Sequence, residues 1–270
     1  MGQEVHTLSE GKSVWGMTSL ADKVYVLRKK KCDQLEVYDI DHRFQRYITV
    51  PNLRGFSDMT SCEHYRCVYI ADHVDECVHR LDEQGAATQW GVKDKVRGLS
   101  VNAAHNVLVT CRAVGKMKEF SSHGDLLREL TLPHHVINPL HSIQTRNGEF
   151  IVSHGYIGDK VHRVSKISAD GRDIVQSHGG QPGSDTGQYC MPVHLAVDNN
   201  DFVFVADLYN RRVTLLSPTL DYVRQVVPRD KLKWFPVRLY LDVSRRRLYV
   251  ADSERKKDEW IAGRVVVFSV

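Results

Sequence analysis

Apolar residues fall in short runs along this chain, and each run ends in a small or polar residue. The recurring unit is Val24-Tyr25-Val26-Leu27, Val68-Tyr69-Ile70-Ala71-Asp72, Val107-Leu108-Val109-Thr110, Phe150-Ile151-Val152-Ser153, Val203-Phe204-Val205-Ala206-Asp207 and Leu248-Tyr249-Val250-Ala251-Asp252. With Val26, Ile70, Val109, Val152, Val205 and Val250 taken as equivalent, the intervals are 44, 39, 43, 53 and 45 residues. Runs this short suit strands rather than helices. An inner strand precedes each marker run, as in Val193-His194-Leu195-Ala196-Val197. A third strand of alternating pattern follows it, as in Lys116-Met117-Lys118-Glu119-Phe120, then a polar turn such as Ala169-Asp170-Gly171, then an outer strand such as Leu127-Arg128-Glu129-Leu130-Thr131-Leu132. Six copies of this unit predict an all-β fold, a six-bladed β-propeller of four-stranded antiparallel blades.

The blades are expected at about 13–52, 53–95, 96–136, 137–190, 191–233 and 234–270. The last one stops at its third strand, Arg264-Val265-Val266-Val267-Phe268, and Glu4-Val5-His6-Thr7-Leu8 can supply the missing outer strand. That pairing closes the ring and leaves no exposed strand edge. Residues 1–270 therefore read as one propeller domain, tightly bounded, as a piece of a longer multidomain protein would be.

Composition adds little to this picture and excludes several alternatives. Hydrophobic residues make up 42% and charged residues 26%, enough apolar content for a core. No apolar run approaches the length of a membrane helix, and MGQEVHTLSEGK lacks the apolar stretch of a secretory leader. The expectation is a soluble cytoplasmic protein with no membrane partner. The six cysteines are scattered, so reduced thiols are expected. Cys62 and Cys67 flank a turn and invite a metal with Cys77, but paired zinc-type spacing is missing. No metal and no cofactor are expected. The motifs G-x-S-x-G, the phosphate loop and H-E-x-x-H are absent, which speaks against an enzyme.

The segment Ser177 to Leu216 resembles the NHL repeat: Gly187, Tyr189, Pro192, Asp207, Asn210 and Arg212 fall where that pattern expects them. Blade 6 keeps Pro236 and Val250-Ala251-Asp252, and blades 1, 3 and 4 lack the aspartate. Asp72, Asp207 and Asp252 read as structural, accepting backbone N–H bonds at strand ends. Pro139, Pro192 and Pro236 fix φ at the entry to inner strands.

Charge is divided between the two propeller faces. One face receives Arg28, Lys30, Arg54, Arg97, Arg112, Lys160, Asn210, Arg211, Lys233, Arg255 and Lys257, interleaved with Tyr156, Tyr209 and Trp234. The other receives Asp39, Asp82, Asp125, Asp170, Asp198 and Asp221. Cations among aromatic rings suit phosphates and unpaired bases. The layout is similar to the C-terminal NHL propellers of tripartite-motif proteins, and that resemblance implies a recognition domain for single-stranded RNA, or alternatively for a protein or peptide on the same face.

At the channel, His141, His194 and Arg238 of blades 4 to 6 are matched with Gly16, Gly55 and Gly98 of blades 1 to 3. They read either as an anion pocket or as buried histidines beside an ion-paired arginine. Related amidating-lyase propellers hold zinc on channel histidines that directly follow the inner-strand proline. Here Leu140 and Val193 hold that place and the histidines come one residue later, pointing the other way. A metal-dependent lyase or hydrolase is thus the second alternative.

Overall fold

The computed structural model describes residues 3–28, 34–257 and 259–270. The first strand, β1 (Gln3–Gly11), belongs to the last blade. Blade 1 is β2 (Val14–Leu20), β3 (Lys23–Arg28), β4 (Gln34–Asp39) and β5 (Phe44–Thr49), and blade 2 is β6 (Phe56–Cys62), β7 (Cys67–Asp72), β8 (Cys77–Asp82) and β9 (Ala87–Gly91). Blade 3 is β10 (Gly98–Val101), β11 (Val107–Cys111), β12 (Lys116–Phe120) and β13 (Leu126–Thr131), and blade 4 is β14 (Pro139–Gln144), β15 (Phe150–His154), β16 (His162–Ile167) and β17 (Ile174–Gly180). Blade 5 is β18 (Pro192–Val197), β19 (Val203–Asp207), β20 (Arg212–Leu216) and β21 (Tyr222–Val227). Blade 6 is β22 (Phe235–Asp242), β23 (Arg247–Lys256) and β24 (Glu259–Ser269), with β1 as its outer strand.

All six sheets are four-stranded and antiparallel, so the expected all-β propeller is the observed one. Closure works as the sequence predicts: Leu8 lies opposite Val265, Thr7 opposite Val266 and His6 opposite Val267. Leu8 is buried, so the strand is packed as well as hydrogen-bonded. Core burial follows the repeat. Val26, Ile70, Val109, Val152, Val205 and Val250 are all 0% exposed, because each sits on a marker strand sandwiched between the blades on either side. No helix among the described residues is long and apolar enough to cross a membrane.

The strand-end aspartates tie blades together. Asp72 accepts from the backbone N–H of Arg54, Gly55, Val74 and Asp75, Asp207 from that of Cys190, and Asp252 from those of Lys233 and Trp234. The expectation of a following-loop contact is met at Asp72, whereas Asp207 and Asp252 fasten the loop entering the inner strand. The thiol arrangement excludes a site built from Cys62, Cys67 and Cys77. Cys67 opposes Cys62, while Cys77 opposes Asp72, five residues on, and an odd offset along a strand places the side chain on the other face.

Candidate ligand site at the channel mouth

Five of the six inner strands, all but that of blade 3, carry a local irregularity that aims one residue at the propeller axis. The ladder shifts register between Val14 and Gly16, Phe56 and Asp58, Pro139 and His141, Pro192 and His194, and Pro236 and Arg238. Such a bulge leaves two residues facing one and turns the second inward. Equivalence then follows from the partners: Gly16 opposes Leu27, Asp58 Ala71, Gly98 Thr110, His141 Ser153, His194 Ala206 and Arg238 Ala251. The axial residue of blade 2 is therefore Asp58, and the match with Gly55 made from sequence is corrected by three positions. The two axial glycines are required by crowding: a Cβ on Gly16 would lie 2.7 Å from Met59 Cβ, and one on Gly98 2.8 Å from the Leu140 carbonyl oxygen.

Asp58, missed in the sequence, is the hub of the channel. Its Oδ1 lies 3.0 Å from Arg238 Nε and 3.3 Å from His194 Nε2, and its Oδ2 accepts from the Leu99 N–H at 2.8 Å with His141 Nε2 3.6 Å away. The rings of His141 and His194 stack at 3.9 Å. Burial opposes the Asp58 charge, but His194 and Arg238 outweigh it and hold the carboxyl below its usual range. Burial, reinforced by neighbouring His194, pushes His141 down to about 3. Together these four side chains fill the channel, and the anion that His141, His194 and Arg238 hold is the protein's own carboxylate.

This cluster does not fit a metal ion, although the ligand atoms of Asp58, His141 and His194 lie within 4.8 Å of one another. His141 Nε2 is bonded to the Leu99 carbonyl oxygen, and His194 Nδ1 accepts from the Leu239 N–H, so His194 Nε2 turns a proton toward Asp58. The fixed positive charge of Arg238 already occupies the carboxylate. Val193, directly after the inner-strand proline, offers no ligand either.

Above this cluster opens a cavity of about 370 Å³, lined by Trp15, Tyr156, Tyr209 and Trp260, by apolar residues including Met191 and Val193, and by Arg97, Arg112, Arg238 and Arg255. Among the described residues no carboxylate lines it. Arg112 lies over the Tyr156 ring at 4.2 Å and Arg255 over the Trp260 ring at 5.9 Å, and Arg255 also donates to the Tyr209 hydroxyl. Burial and the positive charge of Arg238 push Arg97 down to about 10. Its half-buried guanidinium has no carboxylate partner among the described residues, an arrangement that disfavours the empty site and favours a bound anion.

Of the broad basic face, only part gathers at this mouth. Arg28 is 6% exposed, paired with Glu36 at 2.8 Å and bonded to the carbonyls of Lys12 and Gly263. Arg211 spends its donors on the carbonyls of Leu232, Lys233 and Trp234. Asn210 is held by Asp207 and the Gly183 carbonyl. Arg54 pairs with Asp75, and Lys233 with Glu10 while lying over Trp234. Arg28, Arg211 and Asn210 thus hold neighbouring loops, whereas the Arg54 and Lys233 pairs are solvent-exposed and worth little to stability. Lys160 and Lys257 are exposed on the surface, and Lys30 lies outside the described residues. What the structure brings together is Arg97, Arg112, Tyr156, Tyr209, Arg238 and Arg255.

No protein-family model matches the chain. A curated relative, the probable peptidyl-alpha-hydroxyglycine alpha-amidating lyase of Caenorhabditis elegans, is 30% identical over 143 residues, covering 44% of this chain and 40% of that protein. The chain thus matches well under half the length of that relative. Among solved structures, a catalytically inactive virginiamycin B lyase from Staphylococcus aureus with quinupristin aligns over 100% of this chain and 99% of its own at 12% identity and a TM-score of 0.67. A streptogramin B lyase aligns over 96% and 98% at 11% identity with a TM-score of 0.66. At such identities the structures share the fold. The sequence relative, named a lyase, corrects the expectation of a non-enzymatic domain and points to a possible enzyme. These matches lend no support to RNA binding or to the narrower likeness with tripartite-motif proteins.

Proposed function

We propose that the channel mouth binds a compact organic anion, a peptide-like substrate ending in a carboxylate, and that the chain acts on it as a lyase. The observation that carries this reading is Arg97: a half-buried guanidinium facing a cavity that also holds Arg112 and Arg255, aromatic walls and, among the described residues, no acid. Guanidinium groups recognise carboxylates through two parallel hydrogen bonds, and the apolar lining accommodates the body of the ligand. The relative named for acting on peptidyl-α-hydroxyglycine supports the substrate class, because that group carries a terminal carboxylate.

In such an elimination the hydroxyl proton leaves, the oxygen electron pair forms a carbonyl, the carbon–nitrogen bond breaks and the amide nitrogen is protonated. The products are a peptide amide and glyoxylate. The mouth offers the phenols of Tyr156 and Tyr209 as proton-exchanging groups, and the arginines to hold the carboxylate. Incubating the protein with a short peptide ending in α-hydroxyglycine and following amide and glyoxylate by mass spectrometry tests the reading. Turnover above the uncatalysed rate that is lost in Arg97→Met supports it; a rate equal to buffer alone removes the lyase activity.

A further inference from the structure

The three strand-end aspartates differ in what neutralises them. In blade 5, Asp207 stands opposite Arg212 and pairs with its Nε at 2.8 Å, and in blade 6 Asp252 stands opposite Arg264 and pairs with it at 3.0 Å. In blade 2 the residue opposite Asp72 is Cys77, and His79 follows two positions later on the same face. Asp72, Cys77 and His79 are all buried, and their ligand atoms lie within 4.8 Å of one another. Among the described residues no arginine side chain reaches this carboxylate; its Oδ1 takes the N–H groups of Gly55, Val74 and Asp75, and its Oδ2 takes that of Arg54 and faces His79.

From this we infer that blade 2 holds a zinc-class divalent cation on Asp72 Oδ2, Cys77 Sγ and His79 Nε2, in the place that an arginine fills in blades 5 and 6. The spacing matches the chemistry. His79 Nε2 lies 3.5 Å from Cys77 Sγ and 3.7 Å from Asp72 Oδ2. A tetrahedral zinc ion with ordinary bond lengths would separate its nitrogen and sulfur ligands by about 3.6 Å and its nitrogen and oxygen ligands by about 3.3 Å. Carboxylate and thiolate together cancel the dication, so the buried site becomes neutral, and the fourth coordination position is open to a water. On binding, the Cys77 thiol gives its proton to solvent and the His79 proton resides on Nδ1. Unlike the channel cluster, this one has no guanidinium competing for the carboxylate.

The test is elemental analysis of protein purified without chelators, together with cobalt(II) titration of the chelator-treated protein. About one equivalent of zinc per chain is expected, with a thiolate-to-cobalt charge-transfer band on titration. Both should vanish in Cys77→Ser and in His79→Gln, checked as folded by circular dichroism, and both should survive the His141→Ala/His194→Ala double change. Metal-free protein that also gives no cobalt–thiolate band overturns the inference without recourse to any variant. Metal that persists in folded Cys77→Ser, or that leaves only with the channel histidines, overturns it equally.

Discussion

Asp58 of blade 2 holds Arg238 of blade 6 across the channel, Oδ1 to Nε at 3.0 Å, with both side chains at most 5% exposed. Two blades far apart in sequence are thus joined at the axis by one buried ion pair. Breaking such a pair strands a charge and costs about 3–5 kcal/mol, whereas replacing both partners by apolar groups costs far less. Asp58→Ala should therefore lower the denaturant midpoint strongly, and Asp58→Leu/Arg238→Met should recover most of the loss. Equal destabilisation by the single and double changes would show that the pair is not what joins the blades.

Acid should destabilise the fold beginning well above the carboxylate range. Burial, with His194 adding to it, pushes His141 down to about 3, and burial with Arg163 pushes His154 down to about 4. The unfolded chain takes up protons on these imidazoles below about pH 6.5, where the folded protein does not. Stability is then fully present above that pH and is lost progressively as the pH falls toward 4. Melting temperature followed from pH 7.5 to 4 by calorimetry checks this, and His154→Gln should flatten the slope. A melting temperature that rises on acidification would contradict the assignment of neutral buried histidines.

Removing Met1 to Leu8 should expose the edge of β24, and Leu8→Ala alone, at a position 1% exposed, should cost about 2–5 kcal/mol. A melting curve unchanged by the truncation would show that β1 does not contribute to closure.

The fold was legible because every blade repeats one hydrophobic rhythm, and the marker positions that define it are the fully buried ones. The channel hub was not, because the axial residue follows a bulge whose entry residue is proline in blades 4 to 6 and phenylalanine in blade 2. Counting back from the strand-end aspartate finds it: Asp58 precedes Asp72 by 14 residues, as Arg238 precedes Asp252. The basic face was over-read for a related reason. Whether Arg28 or Arg211 is free depends on Glu36 or on backbone carbonyls of neighbouring loops, and charge counting registers neither.

Tyr156→Phe separates binding from chemistry in the mouth. The ring that supports Arg112 is retained while the hydroxyl is lost, so affinity for a carboxylate-ended peptide should stay within about twofold and turnover should fall by about 10²-fold or more. Steady-state kinetics beside equilibrium binding checks it. Unchanged turnover would remove Tyr156 from proton transfer.

The central claim, that the mouth is built for an organic anion, is tested most directly by calorimetric titration of one short peptide in two forms, free carboxylate and C-terminal amide. The free acid should bind at least about tenfold tighter, and Arg97→Met should weaken it by about 1.5–3 kcal/mol while leaving the amide unaffected. Equal affinity for acid and amide, or an acid affinity indifferent to Arg97, would contradict the account.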